Sequence, residues 1–103
     1  MIDKTLGANA LNRHIEMGES QDLEFKEDIP NNTKELANNA ASFASCNEGI
    51  IYLGIDKNSN LLGLPNVFTS PEKDRFQLRL SGILDNIEPK IKYQTEFIEI
   101  EKK

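Results

Sequence analysis

Gly49-Ile50-Ile51-Tyr52-Leu53-Gly54-Ile55-Asp56-Lys57-Asn58-Ser59-Asn60-Leu61-Leu62-Gly63-Leu64 is the stretch on which the fold turns. Ile50 to Leu53 and Ile55 form a short apolar run rich in β-branched residues, the composition of a strand buried on both faces. Asp56 to Asn60 is a polar turn whose side chains readily bond their own backbone. Leu61 to Leu64 predicts a returning strand, and so a hairpin. The buried strand delivers one carboxylate, Asp56, to its carboxyl end, where α/β proteins place their sites.

Upstream of the hairpin, Leu11 and Ile15, with Ala8, recur at helical spacing and predict a short helix over 7–17 that stops at Gly18. His14 falls on its polar side and is expected to be solvated. Leu23 and Phe25 alternate with Asp22, Glu24 and Lys26, which predicts a half-buried strand with Glu24 and Lys26 on one face. Asn32 followed by Glu35 has the form of a capping box. The helix expected from Thr33 to Cys46 carries Leu36, Ala37, Ala40, Ala41, Phe43 and Ala44 on one face, mostly small residues that let it lie close to a sheet. Asn47-Glu48-Gly49 is read as its end, with Gly49 as a left-handed cap. Cys46 is expected to be a small packed residue.

Downstream, Ser70-Pro71 reads as cap and first helical position. The helix predicted from Pro71 to Ile87 buries Phe76, Leu80, Ile83, Leu84 and Ile87. Ile91, Tyr93, Thr95 and Phe97 alternate as a strand would. Ile98 and Ile100 then change phase, which predicts a bulge near Phe97-Ile98. The order helix, strand, helix, strand, strand, helix, strand describes an α+β domain, an α/β sandwich with a mixed sheet and about three helices.

At 103 residues there is room for one domain, 1–103, with a modest core. The chain ends on Glu-Ile-Glu-Lys-Lys straight after a strand-like segment, which is expected of a domain cut from a longer protein. Seventeen acids against twelve bases give a net charge of −5. That total argues against a protein that coats nucleic acid by charge alone, since such binding rests on Lys and Arg neutralising phosphates. A local basic face remains open. One cysteine allows no internal disulfide and gives no support to a cysteine zinc site. No apolar run is long enough to span a bilayer, no signal-peptide core is present, and no G-x-x-x-x-G-K-[ST] loop supports ATP hydrolysis. A cytoplasmic setting is the expectation.

Gly18-Glu19-Ser20, Glu24-Phe25-Lys26, Ser42-Phe43-Ala44-Ser45 near a helix end, Gly49 before an apolar strand, and Gly54-Ile55-Asp56 before a turn into Leu62-Gly63-Leu64 resemble, in order and spacing, the Schlafen-type, AlbA-like domain once filed under divergent AAA ATPases. The resemblance runs from about Leu11 to Ile87. Glu48 stands where the first Gly of a Gly-Gly is usual, Ser45 where Asn is common, and Asp56-Lys57 where many members have Asp-Asp. The resemblance implies a nucleic-acid-binding module, DNA-binding in bacterial and archaeal transcriptional regulators or in RecG-like, helicase-related proteins. It also implies an alternative. In some vertebrate Schlafens the fold is a divalent-metal-dependent endoribonuclease, and its three catalytic acids match Glu19, Glu24 and Asp56.

Both readings name residues. Binding of DNA or RNA, without sequence specificity, would use Lys26, Lys57, Lys73, Arg75 and Arg79 on phosphates. Catalysis would use Glu19, Glu24 and Asp56 as oxygen ligands of Mg²⁺ or Mn²⁺, with Lys26 facing the scissile phosphate. Binding rather than catalysis is expected of this chain alone. A third class, a protein-interaction or homodimer module, is favoured by the acidic charge and by a possible open sheet edge at residues 91–100.

Overall fold

Leu23–Lys26 (β1) and Ile50–Leu53 (β2) pair side by side and in parallel, with Leu23 opposite Ile50, Glu24 opposite Ile51, Phe25 opposite Tyr52 and Lys26 opposite Leu53. Parallel neighbours need a crossover, and Thr33–Ser45 (α2) supplies it. The computed structural model describes residues 8–46 and 49–99. Ala8–Met17 (α1) precedes the sheet and Ser70–Leu84 (α3) follows it, giving three helices on a small sheet in an α+β fold.

Residues opposite each other in the register share a face, so the sheet has two different sides. Leu23, Phe25 and Tyr52 pack with Leu11 of α1 and with Ile55, and Ile15 and Ile50 complete that core. On the other side, Ile51 and Leu53 meet Leu36, Ala37, Ala40 and Ala41 of α2 and Leu80 and Leu84 of α3, with Ile29 and Ile87 closing the ends. Glu24 and Lys26 occupy this second side at the β1 margin. The expected sandwich is therefore present, and the small residues of α2 lie where the sheet approaches it. Among the described residues no helix is long and apolar enough to cross a membrane.

The structure corrects several local expectations. His14 is fully buried, not solvated, and its Nδ1 lies 2.6 Å from the Tyr52 hydroxyl. One turn after Ala10 and Leu11, it falls on the stripe that faces the sheet. Asn32 caps α2 by accepting the Lys34 N–H at 3.1 Å, but the box with Glu35 does not close, because the Glu35 carboxylate reaches Lys26 instead. The closed capping box belongs to α3, one residue earlier than expected. Thr69 Oγ1 accepts the Glu72 N–H, and Glu72 accepts the N–H groups of Phe68 and Thr69. α3 ends at Leu84, with Asp85 as cap, and Ile87 is buried beyond it.

A Cβ at Gly49 would lie 2.5 Å from the Phe43 ring, so close approach alone calls for glycine there, and its reading as a left-handed cap depends on Glu48, outside the described residues. Cys46, the last cap of α2, is exposed rather than packed. The readings of Asn47 and Glu48 as the end of this helix, and of Ile100 as part of the last strand, lie outside the described residues.

The returning strand of the hairpin shrinks to one antiparallel bridge, Ile55 to Leu61. Residues 91–99 form no strand. Their alternation has a different cause. Tyr93 donates to Asp85, Thr95 to Gln77, Phe97 meets Phe76 edge-on, and Glu99 pairs with Lys73, so every second residue engages α3 or its cap. Ile98 packs instead on the α1 core. Ile98 thus turns toward a different core from the α3 contacts of its neighbours Phe97 and Glu99, and the phase change needs no bulge.

Candidate functional site

The site begins with a corner. After α1 the chain folds back on itself, with Ser20 and Leu23 exchanging backbone hydrogen bonds of 2.9 and 3.4 Å. The Asp22 and Lys26 carbonyls accept from Ile50 and Gly54 of the β2 side. The N–H of Phe25, an alternate residue, therefore faces away from β2, on an edge with no strand beside it among the described residues. Glu19 fills that gap, its Oε2 accepting the Phe25 N–H at 3.0 Å. A carboxylate from the corner thus caps the outer edge of β1.

Glu24 sits beside it. Its side chain is about a quarter exposed and its carboxyl is pushed above the ordinary value of 4.5, first by burial and then by the charge of Glu19, with Lys26 opposing. Lys26 Nζ lies 3.4 Å from Glu24 and 2.6 Å from Glu35. Burial works against that ammonium, but Glu35 and Glu24 more than offset it and hold the lysine above its usual range. The result is a chain of alternating contacts, Glu19, Glu24, Lys26, Glu35, spanning the corner, β1 and the first turn of α2. Glu35 was missed from sequence because its spacing from Asn32 pointed to a cap.

Asp56 does not join them. Its carboxylate accepts the N–H groups of Asn58 and Asn60, each at 2.9 Å, and the Asn60 side-chain amide at 3.0 Å. The Asn60 backbone first, then its side chain, and then the Asn58 backbone hold it below the usual carboxylate range. The backbone of the turn is close to β1, since Gly54 and Ile55 both donate to the Lys26 carbonyl. The carboxylate itself is directed into its own loop. Of the three acids, Glu19 and Glu24 come together and Asp56 stands apart. Among the described residues no three His, Cys, Asp or Glu side chains form a group that could hold a metal ion. Two of the three candidate ligands, Glu19 and Glu24, thus share this margin, and Lys26 supplies the positive charge between Glu24 and Glu35.

The basic residues divide in the same way. Lys26 is committed to Glu24 and Glu35. Lys73 is committed to Glu99 at 3.2 Å and lies 5.9 Å from the centre of the Phe97 ring. Lys57 is exposed in the Asp56 turn, and Arg75 and Arg79 are exposed one turn apart on the outer side of α3. Among the described residues none of these three has an ion-pair partner within 4 Å.

The Glu24 geometry carries a prediction. A carboxyl whose pKa is raised by folding contributes stability below its unfolded value, and that contribution is lost as the pH rises through the folded value. Stability measured by urea unfolding should therefore decline upward from pH 4.5 through the raised Glu24 value. Glu24→Gln should flatten that decline and stabilise the protein at pH 7 by no more than about 1 kcal/mol, since the site still meets water. A variant less stable at pH 7 than the parent, with the decline unchanged, would show that the Lys26 contact outweighs the burial of Glu24.

No curated protein and no solved structure matches the chain. The sequence model of the family described as Schlafen, AlbA_2 matches residues 19–103. The match begins at the corner carboxylate and takes in the Glu-Phe-Lys strand, the small-residue helix and the Gly-Ile-Asp turn, the same elements that the fold assembles around the sheet. The chain belongs to the Schlafen, AlbA_2 family, which points to nucleic acid as its general class of partner.

Proposed function

We propose that the protein binds nucleic acid through phosphate contacts from the outer side of α3, as a DNA-binding module of a bacterial or archaeal transcriptional regulator or helicase-related protein working in the cytoplasm. The observation that carries this reading is the pair Arg75 and Arg79, exposed one turn apart with no carboxylate within 4 Å of either among the described residues, while Glu72 feels the charge of Arg75 from farther off. Lys57 adds a third exposed charge. Lys26 and Lys73 do not contribute, because each already neutralises a carboxylate. Among the described residues no aromatic platform or recognition-helix motif stands beside the arginine pair, so the binding is insensitive to sequence, with a dissociation constant on the order of 10⁻⁴ to 10⁻⁶ M at physiological salt.

The test is a salt titration on short duplex DNA, with single-stranded DNA and RNA alongside. Each phosphate contact contributes about one unit to the slope of log affinity against log salt. Arg75→Ala/Arg79→Ala should lower that slope by about 2, whereas Lys73→Ala should leave it unchanged. Binding that is undetectable even at low salt, or a slope indifferent to the arginine pair, removes the proposal. Tighter binding to RNA than to duplex DNA would move the target to RNA. The endoribonuclease alternative, which the resemblance rests on Glu19, Glu24 and Asp56 together, draws less support, because the Asp56 carboxylate turns into its own loop.

A further inference from the structure

A groove of about 410 Å³ opens where β1 ends and the chain leaves the Asp56 turn. It is lined by Glu27 and Asp28 and by Leu62, Leu64, Pro65 and Phe68. Two of the apolar residues are strongly exposed, Leu62 at 55% and Phe68 at 73%. Neither acid has a lysine or arginine within 4 Å among the described residues, although Asp28 also accepts the Ile29 N–H at 2.7 Å. Uncompensated acids repel phosphates, so this surface is not part of the nucleic-acid face. An occupant that fits it brings an apolar knob flanked by positive charge.

The outer side of α3 has that chemistry. Leu78 is 73% exposed, three residues from Arg75 and next to Arg79. Side chains three apart lie on the same side of a helix. Asp74, four residues before Leu78, is the acid closest to this ridge in sequence. We propose that the Arg75–Leu78–Arg79 ridge of one copy seats in the Glu27–Phe68 groove of another, so that the protein associates with itself. Ridge and groove are different surfaces, and the contact is heterologous, head to tail. It also uses the arginines assigned to nucleic acid, and self-association and nucleic-acid binding therefore compete.

Sedimentation velocity over a wide concentration range tests this with two charge changes. Glu27→Arg cancels the charge of Asp28 and leaves the groove without net negative charge, and Arg75→Glu/Arg79→Glu makes the ridge acidic. The parent should associate as concentration rises. Each variant alone loses the charge match and should associate at least about tenfold more weakly. An equimolar mixture of the two should recover association, because the basic ridge of the first still fits the acidic groove of the second. Leu78→Ser, with the charges intact, should also weaken association. A parent that stays monomeric at every concentration, a Glu27→Arg variant that associates like the parent, or a mixture that stays monomeric while circular dichroism shows both variants folded would each overturn the proposal. Glu27→Arg should bind nucleic acid at least as tightly as the parent, since it removes a negative charge and a competing contact, which separates failure of this inference from failure of the binding reading.

Discussion

Leu23→Ala should destabilise the protein by about 2–5 kcal/mol. Leu23 is wholly buried, in the core that also holds Leu11, Phe25, Tyr52 and Ile55. The cost has two parts, lost transfer free energy and an unfilled cavity in a closely packed interior. A chain of this length has about 5–15 kcal/mol of total stability, so a large share would be removed. At about 4–8 °C for each kcal/mol, the melting temperature should fall by at least about 8 °C. The backbone of Leu23 also holds the Ser20 corner, which places Glu19 on the edge of β1. The loss should therefore be accompanied by faster amide exchange at Phe25. Urea unfolding followed by circular dichroism measures the first effect and hydrogen exchange the second. Met17→Ala is the control. Met17 is 59% exposed, and its replacement should change stability by less than about 0.5 kcal/mol. Equal small effects at both positions would mean that the α1 core is not packed as described.

Gly54→Ala should cost about 1–3 kcal/mol from its dihedral alone. Gly54 has φ +109, a region that side chains avoid, and a Cβ there would stand 3.2 Å from the backbone of Gly63. Neither the strand end nor the loop can yield easily. The Gly54 N–H donates to Lys26 at 2.7 Å, and its carbonyl accepts from Leu62 and Gly63 at 2.8 and 2.9 Å. One residue thus ties together the end of β1, the end of β2 and the loop that lines the acidic groove. The substitution should lower the unfolding midpoint in urea. It should also shift the amide resonances of Leu62 and Gly63 more than those of the Glu24–Lys26 strand. An unfolding midpoint equal to the parent would show that the backbone there is free to relax.

Several parts of this arrangement were legible beforehand, for identifiable reasons. Leu11 and Ile15, Leu36 and Ala40, and Leu80 and Leu84 repeat with the helical period, and each pair lies on the buried side of its helix. Leu23 and Phe25 alternate against Glu24 and Lys26, and the strand divides its faces accordingly. The turn at Asp56 closes on its own side chain as its composition suggested. All of these depend on neighbours within a few residues.

The failures depend on distance along the chain. His14 looked solvated because its neighbours on α1 are polar, and its burial depends on Tyr52, thirty-eight positions away. Glu35 had two partners open to it, the helix start close by and Lys26 nine positions back, and the ammonium won. Both bonds would be charge-assisted, but the ammonium brings a full opposite charge where the backbone N–H brings only a dipole. Residues 91–99 have strand periodicity, yet among the described residues no neighbouring backbone pairs with them, and alternate side chains attach to α3 or its cap instead. Alternation reports two unlike sides and says nothing of what stands on each.

By itself the sequence determined the helices, the first strand, the central apolar strand, the polar turn and the family pattern, because local spacing sets backbone conformation and the face each residue occupies. Only the tertiary structure decided that Glu19 and Glu24 share an edge while Asp56 closes its own loop, and that Lys26 and Lys73 are neutralised while Arg75 and Arg79 stay exposed. The physical reason is that charge pairing depends on separations of a few ångströms between side chains on different elements, and the packing of two unlike cores on a parallel sheet fixes those separations.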